Sequence, residues 1–209
     1  PLDFPTHAQS SFGSFQPCSE QAISQLIRAS VAKSCDLDPM PTFIVKECVD
    51  DLSPFMTRMC NASISEGCFP ASQKESIVIP ALKKYDLDPM EMKNYRPISN
   101  LAFTSKLVEK VVFSQLSGYL ADNNLWPKLQ SGFRQFHSTE SAVLKVVSDI
   151  CAAVDQGNVA LLALLDVSAA FDTVDHAILL QRLSQSYGVS GSALDWFKSF
   201  ATGRLQMVR

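Results

Sequence analysis

Residues 159–166 read Val-Ala-Leu-Leu-Ala-Leu-Leu-Asp, an unbroken apolar run closed by a carboxylate. A run of this length suits a buried strand and falls far short of the ~20 residues that span a bilayer. It does not alternate, so the strand expected here is a central one, covered on both faces. Gly157-Asn158 turns the chain into it. A carboxylate buried in such a strand without a partner is costly. Asp166 therefore either emerges at an edge or is paired, and a cation is one such partner. In layered α/β folds, functional carboxylates often lie at the carboxyl ends of strands.

The rest of the chain supplies helices to cover a sheet. Residues 1–19 show no period and read as a loose lead-in. From Glu20, the positions Ile23, Leu26, Ile27 and Val31 share one helical face. A short helix is expected over 43–49, and Ser53-Pro54 reads as an N-cap followed by a first-turn proline. Gly67 is the expected C-cap. Residues 76–80 are β-branched and apolar and predict a short strand. Leu107, Val108, Val111, Val112, Leu116, Tyr119 and Leu120 line one face of a long helix, with Glu109 and Lys110 turned away. A second long helix runs over 139–154, with Val143, Val146, Val147, Ile150, Cys151 and Val154 on its buried face. Asp175 is placed to cap a helix carrying Ile178, Leu179, Leu183 and Tyr187, and Gly188 ends it. Ser192 with Asp195 reads as a capping box for the last helix, whose apolar face holds Leu194, Phe197 and Trp196. Asp-Leu-Asp-Pro-Met occurs at both 36–40 and 86–90. The flanks differ, so each copy is a turn and not a repeat unit. Helices alternating with strands predict an α/β (α+β) layered fold.

Composition excludes some classes. Six cysteines without C-x-x-C spacing and only three histidines argue against zinc. At 46% apolar residues the chain needs no disulfides, which suits free thiols in a reducing, intracellular setting. No basic segment followed by an apolar one opens the chain, so no secretory signal is expected. The net charge of −3 is a weak argument against nucleic acid, but it averages over an asymmetry. Residues 1–66 hold four Lys/Arg and eight Asp/Glu, whereas residues 74–134 hold nine and six. Phosphate contacts are sought in that middle part.

Asp166, Asp172, Asp175 and His176 fall within eleven residues and make the strand end a metal candidate. Magnesium suits a few carboxylates plus phosphates and waters. Against this stands a plainer reading, in which Asp166 and Asp172 hold turns and Asp175 caps the next helix. For Asp175 the cap is the preferred reading. The segment from Ala163 to His176 resembles the first conserved palm motif of reverse transcriptases from non-LTR retrotransposons, an apolar strand followed by D-x-x-x-x-F-D-x-V-D-H. Two further blocks match the same family in order: Asn94-Tyr95-Arg96-Pro97-Ile98-Ser99, and Gln130-Ser131-Gly132-Phe133-Arg134 followed by His137-Ser138-Thr139-Glu140. Lys83 and Lys84 match a lysine pair ahead of the first block. The resemblance is close over roughly 70–209 and looser over 20–69.

The resemblance implies the fingers and the beginning of the palm of a right-hand polymerase fold, truncated before the catalytic hairpin and thumb. It implies an N-terminal extension at 1–69, fingers at 70–158 and the start of the palm at 159–209. Asp166 becomes the catalytic carboxylate and a ligand of two Mg²⁺ ions, with the backbone carbonyl of Val167 as a further ligand. Phe171 falls at the steric gate against the sugar of the incoming nucleotide, where the plainer alternative is a core aromatic. Arg96 is expected on the triphosphate, with Lys83 or Lys84 as a second contact, because a guanidinium fork matches phosphate oxygens. The plainer alternative for Arg96 is a surface pair with a carboxylate. For Arg134 the resemblance leaves two partners open, template or a palm carboxylate. The implied partners are an RNA template, a DNA primer and deoxynucleoside triphosphates, with no membrane.

Two positions depart from the family pattern, Gln135 and Ala169, where basic residues are usual. The template-grip block, the Y-x-D-D hairpin, a thumb and an endonuclease domain are not found in the 209 residues. The expectation is therefore a piece of an RNA-directed DNA polymerase that is inactive alone. The competing expectation is a non-catalytic nucleic-acid-binding or scaffold protein derived from a retroelement.

Overall fold

The computed structural model describes residues 10–167 and 170–209. The chain divides into two units, Pro1–Asn123 with Asp175–Arg209, and Asn124–Val174. The first unit holds the helices α1 (Glu20–Arg28), α2 (Thr42–Glu47), α3 (Val49–Glu66) and α4 (Phe103–Asp122). The second holds α5 (Thr139–Asp155), and the chain then returns to the first unit with α6 (His176–Gln185) and α7 (Gly191–Ala201). Strands β1 (Glu75–Leu82), β2 (Tyr95–Leu101) and β3 (Leu205–Val208) form one sheet in the order β2-β1-β3. β1 and β2 are antiparallel, with Ile79 opposite Ile98, and β3 lies parallel to β1, with Glu75 opposite Leu205. The fold is mixed α/β, as the alternation of elements predicts.

The core of the first unit is built by the apolar stripes of four helices. Ile23 and Ile27 of α1, Val49 and Ile64 of α3, Val108 and Val111 of α4, and Trp196 of α7 are buried together. Trp196 stacks on Phe200 with centroids 5.2 Å apart and meets Phe69 edge to face at 5.6 Å. Its indole Nε1 donates to the Ser63 hydroxyl at 3.0 Å, so the one polar atom of the ring is satisfied inside the core. Gly67 closes α3 in the left-handed conformation at φ 62. No helix among the described residues is long and apolar enough to cross a membrane, and all six cysteines are free thiols.

Several local expectations are corrected. Of the expected lead-in, residues 1–9 lie outside the described residues, and residues 10–19 are not loose: Phe15 is buried, and Gln16 exchanges two hydrogen bonds with the side chain of Gln115. Phe12 bridges to Val189, so this strap is tied down by backbone pairing that apolar periodicity does not register. α1 ends at Arg28, and Val31 lies beyond it, exposed. Ser53 is not an N-cap. α3 starts at Val49 and carries Pro54 inside it, with Asp50 and Asp51 in the first turn, where the helix dipole favours them. Proline at the sixth position forfeits one backbone bond, which a helix held by its buried face tolerates. Ser192 is not a cap either; α7 begins at Gly191, and the Ser192 hydroxyl turns toward the carbonyl of Gly13. Trp196, not Leu194 or Phe197, is the buried centre of its face. Glu109 does not turn away but is partly buried.

The largest correction concerns the apolar run. Residues 159–167 form no strand and are exposed. α5 forms where expected, yet Val143, Val147 and Val154 on its apolar face are exposed too. Hydrophobicity marks what a segment is able to bury. A strand also needs a neighbour to take its backbone hydrogen bonds, and none of the described strands pairs with this one.

Candidate active site

In the second unit, the segment before α5 is a chain of turns fixed by its own backbone. Gln130 donates its backbone N–H to Pro127 O at 3.1 Å and its side-chain amide to Gly132 O. Phe133 and Phe136 sit at φ 57 and 62, the left-handed region that bulky residues avoid. Arg134 is half-buried and donates from Nη1 to Pro127 O at 3.3 Å; no ion pair to it is found among the described residues. Ser138 then opens α5 with a reciprocal capping box, exchanging side-chain and backbone bonds with Ser141. The Glu140 carboxyl lies in that first turn and is held below its ordinary range, chiefly by its hydrogen bond to Ser138.

Asp166 and Val167 lie at the end of the exposed apolar segment. Ser168 and Ala169 lie outside the described residues. Phe171 is 81% exposed. Its ring meets that of Phe133 edge to face, which joins the two motifs through their aromatic residues. Thr173 donates its hydroxyl to Ala170 O at 3.0 Å and holds this turn. Asp175 accepts from the Ile178 backbone N–H at 3.0 Å, the N-cap role expected of it.

In the first unit, the β1–β2 hairpin carries the basic candidates. Arg96 stands opposite Ala81, near the turn end, and shares a face with Ile98. It is exposed and makes no ion pair among the described residues. Lys83 extends the ladder by donating its backbone N–H to Asn94 O, and its ammonium reaches Lys93 O at 2.7 Å. Lys84 is exposed. Asn94 donates to Asp88 O and Tyr95 donates its hydroxyl to Pro89 O, so two residues of the N-Y-R-P-I-S block close the long hairpin loop. Asp88 accepts from Met90 N, and Asp38 accepts from Cys35 N, so both copies of the five-residue turn use aspartate as a local acceptor.

Sequence reasoning did not find β3 or the Phe133–Phe171 contact. β3 is four exposed residues with no pattern of burial. The ring contact depends on the left-handed turn at Phe133, which no glycine announces.

The family model described as reverse transcriptase (RNA-dependent DNA polymerase) matches residues 82–207. The chain is 26% identical over 168 residues to the RNA-directed DNA polymerase from mobile element jockey of Drosophila melanogaster, covering 80% of this chain and 18% of that protein. It is 28% identical over 195 residues to the probable RNA-directed DNA polymerase from transposon X-element, covering 93% and 21%. For the probable RNA-directed DNA polymerase from transposon BS the figures are 24% over 231 residues, 99% and 25%. Both of these are also from Drosophila melanogaster. The chain thus spans about a fifth to a quarter of the length of these relatives. With the matched segment covering more than half of it, the chain belongs to the reverse transcriptase family, in the form typical of non-LTR retrotransposon RNA-directed DNA polymerases.

Proposed function

We propose that this chain supplies the N-terminal extension (1–69), the fingers (70–158) and the first palm motif (159–209) of an RNA-directed DNA polymerase that extends a DNA primer on an RNA template. The observation that carries this reading is the collinear set of motifs inside the matched segment, ending at Asp166. Arg96 is the proposed triphosphate contact, because it is exposed and free of a carboxylate on the hairpin face. Lys84 is the better second contact, since the ammonium of Lys83 is already bonded to a carbonyl. Phe171 is the proposed sugar gate, supported by its exposure and by the neighbouring ring of Phe133. Arg134 is bonded within its own turn and is assigned a turn-holding role before any contact with template.

Mg²⁺ is the cation the family generally uses. Asp166, with the carbonyl of Val167, offers at most one carboxylate and one backbone oxygen to it. Among the described residues no three His, Cys, Asp or Glu side chains gather closely enough to hold a metal ion. Two-metal chemistry needs several oxygens fixed around ions ~3.5–4 Å apart. The described residues therefore do not make a Mg²⁺ site by themselves, and Asp166 is one ligand's share of such a site.

The test is primer extension with deoxynucleotides on an RNA template, run on the full open reading frame that contains these residues and on residues 1–209 alone. The reading expects template-dependent DNA synthesis from the first and none from the second. Absence of synthesis from the full frame, with RNA binding intact, would favour the scaffold alternative.

A further inference from the structure

We propose that the exposed ridge of α4 formed by Lys106, Lys110 and Phe113 binds a single strand of nucleic acid, its phosphates on the lysines and a base against the aromatic groove beside them. The three residues are spaced i, i+4, i+7 and share one face. All three are exposed. On one side of the ridge lies a cleft of about 200 Å³ lined by Ser30, Val31, Lys33, Phe103, Lys106 and Lys110, among others. No carboxylate lines that cleft. Lys110 Nζ donates to the Ser30 hydroxyl at 2.9 Å, and Lys46 Nζ donates to the Ser30 carbonyl at 2.9 Å. Two ammonium groups thus converge on one residue, and neither has an ion-pair partner among the described residues. Such convergence is repulsive unless an anion offsets it.

On the other side lies a groove of about 490 Å³ that shares Lys106 and Lys110 and is walled by Phe113, Leu116, Phe197 and Phe200. Glu109 is the one acidic residue lining that groove; burial raises its carboxyl above the ordinary range, against smaller lowering influences from Arg204, Ser105 and Lys106. Basic groups flanked by aromatic faces are what an unpaired strand needs: phosphates meet the cations, and bases stack on rings. A duplex hides its base faces, and free phosphate has none. The proposal rests on RNA being a partner of this chain but needs no polymerase activity.

The experiment is fluorescence anisotropy of a labelled single-stranded RNA with the 209-residue chain, titrated at several salt concentrations. Lys106→Glu with Lys110→Glu should weaken binding at least tenfold and reduce the slope of log K against log salt by about 1.4, the value for two phosphate contacts on a single strand. Phe113→Ala should weaken binding roughly fivefold or more with the salt slope unchanged. Arg58→Glu with Lys145→Glu, an equal change in charge elsewhere, should do neither, and circular dichroism should show all variants folded. Lys106→Arg with Lys110→Arg keeps both charges and should keep the affinity. No RNA binding at low salt, equal loss in both charge-reversal pairs, or full displacement of RNA by an equal concentration of tripolyphosphate would each overturn the proposal. Loss of primer extension in the full frame with this binding profile intact would leave it standing while removing the polymerase reading.

Discussion

The rings of Phe133 and Phe171 meet edge to face, with centroids 6.3 Å apart and planes at 74°. Phe133 reaches this position from a left-handed backbone, at φ 57. A non-glycine residue there costs about 1–2 kcal/mol. Both rings are otherwise exposed, at 84% and 81%. Phe171→Val in the full frame should therefore raise ribonucleotide over deoxyribonucleotide incorporation at least tenfold, about 1.4 kcal/mol of lost discrimination. Phe133→Ala should move the ratio the same way by less, since it removes only the ring against which Phe171 rests. Single-nucleotide kinetics measure both. Discrimination unchanged in Phe171→Val would return this residue to a structural role.

Arg96 stands exposed on the hairpin face without a carboxylate partner. Arg96→Ala should raise the apparent KM for nucleotide by an amount matching a lost charge-assisted bond, about 1.5–3 kcal/mol, while primer–template affinity changes little. A fall in duplex affinity alone would place Arg96 on the nucleic-acid track.

The arrangement of the first unit was largely legible in the sequence because its helices show their buried faces. The positions at 107, 108, 111 and 112 are apolar in the sequence and buried in the structure. Asp175 was readable as a cap because a cap is a local bond, and so were Gly67 and the paired aspartate turns. The strap at residues 10–19 was not, since Phe15 reaches the core through long-range pairing at Val189 and Gln115. The candidate site divides the same way. Its residues could be named from motif order alone, whereas the state of residues 159–167 depends on neighbouring strands that an apolar run cannot specify.

Glu109 gives the account a pH signature. Its folded-state pKa is raised, chiefly by burial, against smaller lowering influences from Arg204, Ser105 and Lys106. The folded state then binds more protons than the unfolded state just above the ordinary carboxyl range. Stability attributable to this group is present below that range and falls as pH rises through the folded pKa. Glu109→Gln should remove that fall and raise the melting temperature at neutral pH relative to wild type. A variant less stable than wild type at pH 7 would show that the charge is used rather than tolerated.

The packing of α3 against α7 should contribute strongly to stability. A Cβ at Gly67, already at φ 62, would lie 2.7 Å from the Ser192 carbonyl oxygen. Gly67→Ala should cost more than ~1 kcal/mol. Trp196→Ala should cost about 3–5 kcal/mol, and Ser63→Ala, which orphans the indole N–H, about 1–3 kcal/mol. Urea denaturation of the purified chain gives all three. A Ser63→Ala variant as stable as wild type would mean that the indole finds another acceptor.

Asp166 bears the central claim. The direct measurement is primer extension on an RNA template by the full open reading frame, comparing wild type, Asp166→Asn and Asp175→Asn, with folding checked by circular dichroism. Asp175→Asn is the control, because asparagine caps a helix as well as aspartate. The account predicts that Asp175→Asn keeps most of the activity. It predicts that Asp166→Asn, though folded, falls to less than a tenth, a barrier increase above ~1.4 kcal/mol. An Asp166→Asn protein that keeps more than a tenth of wild-type extension would contradict it.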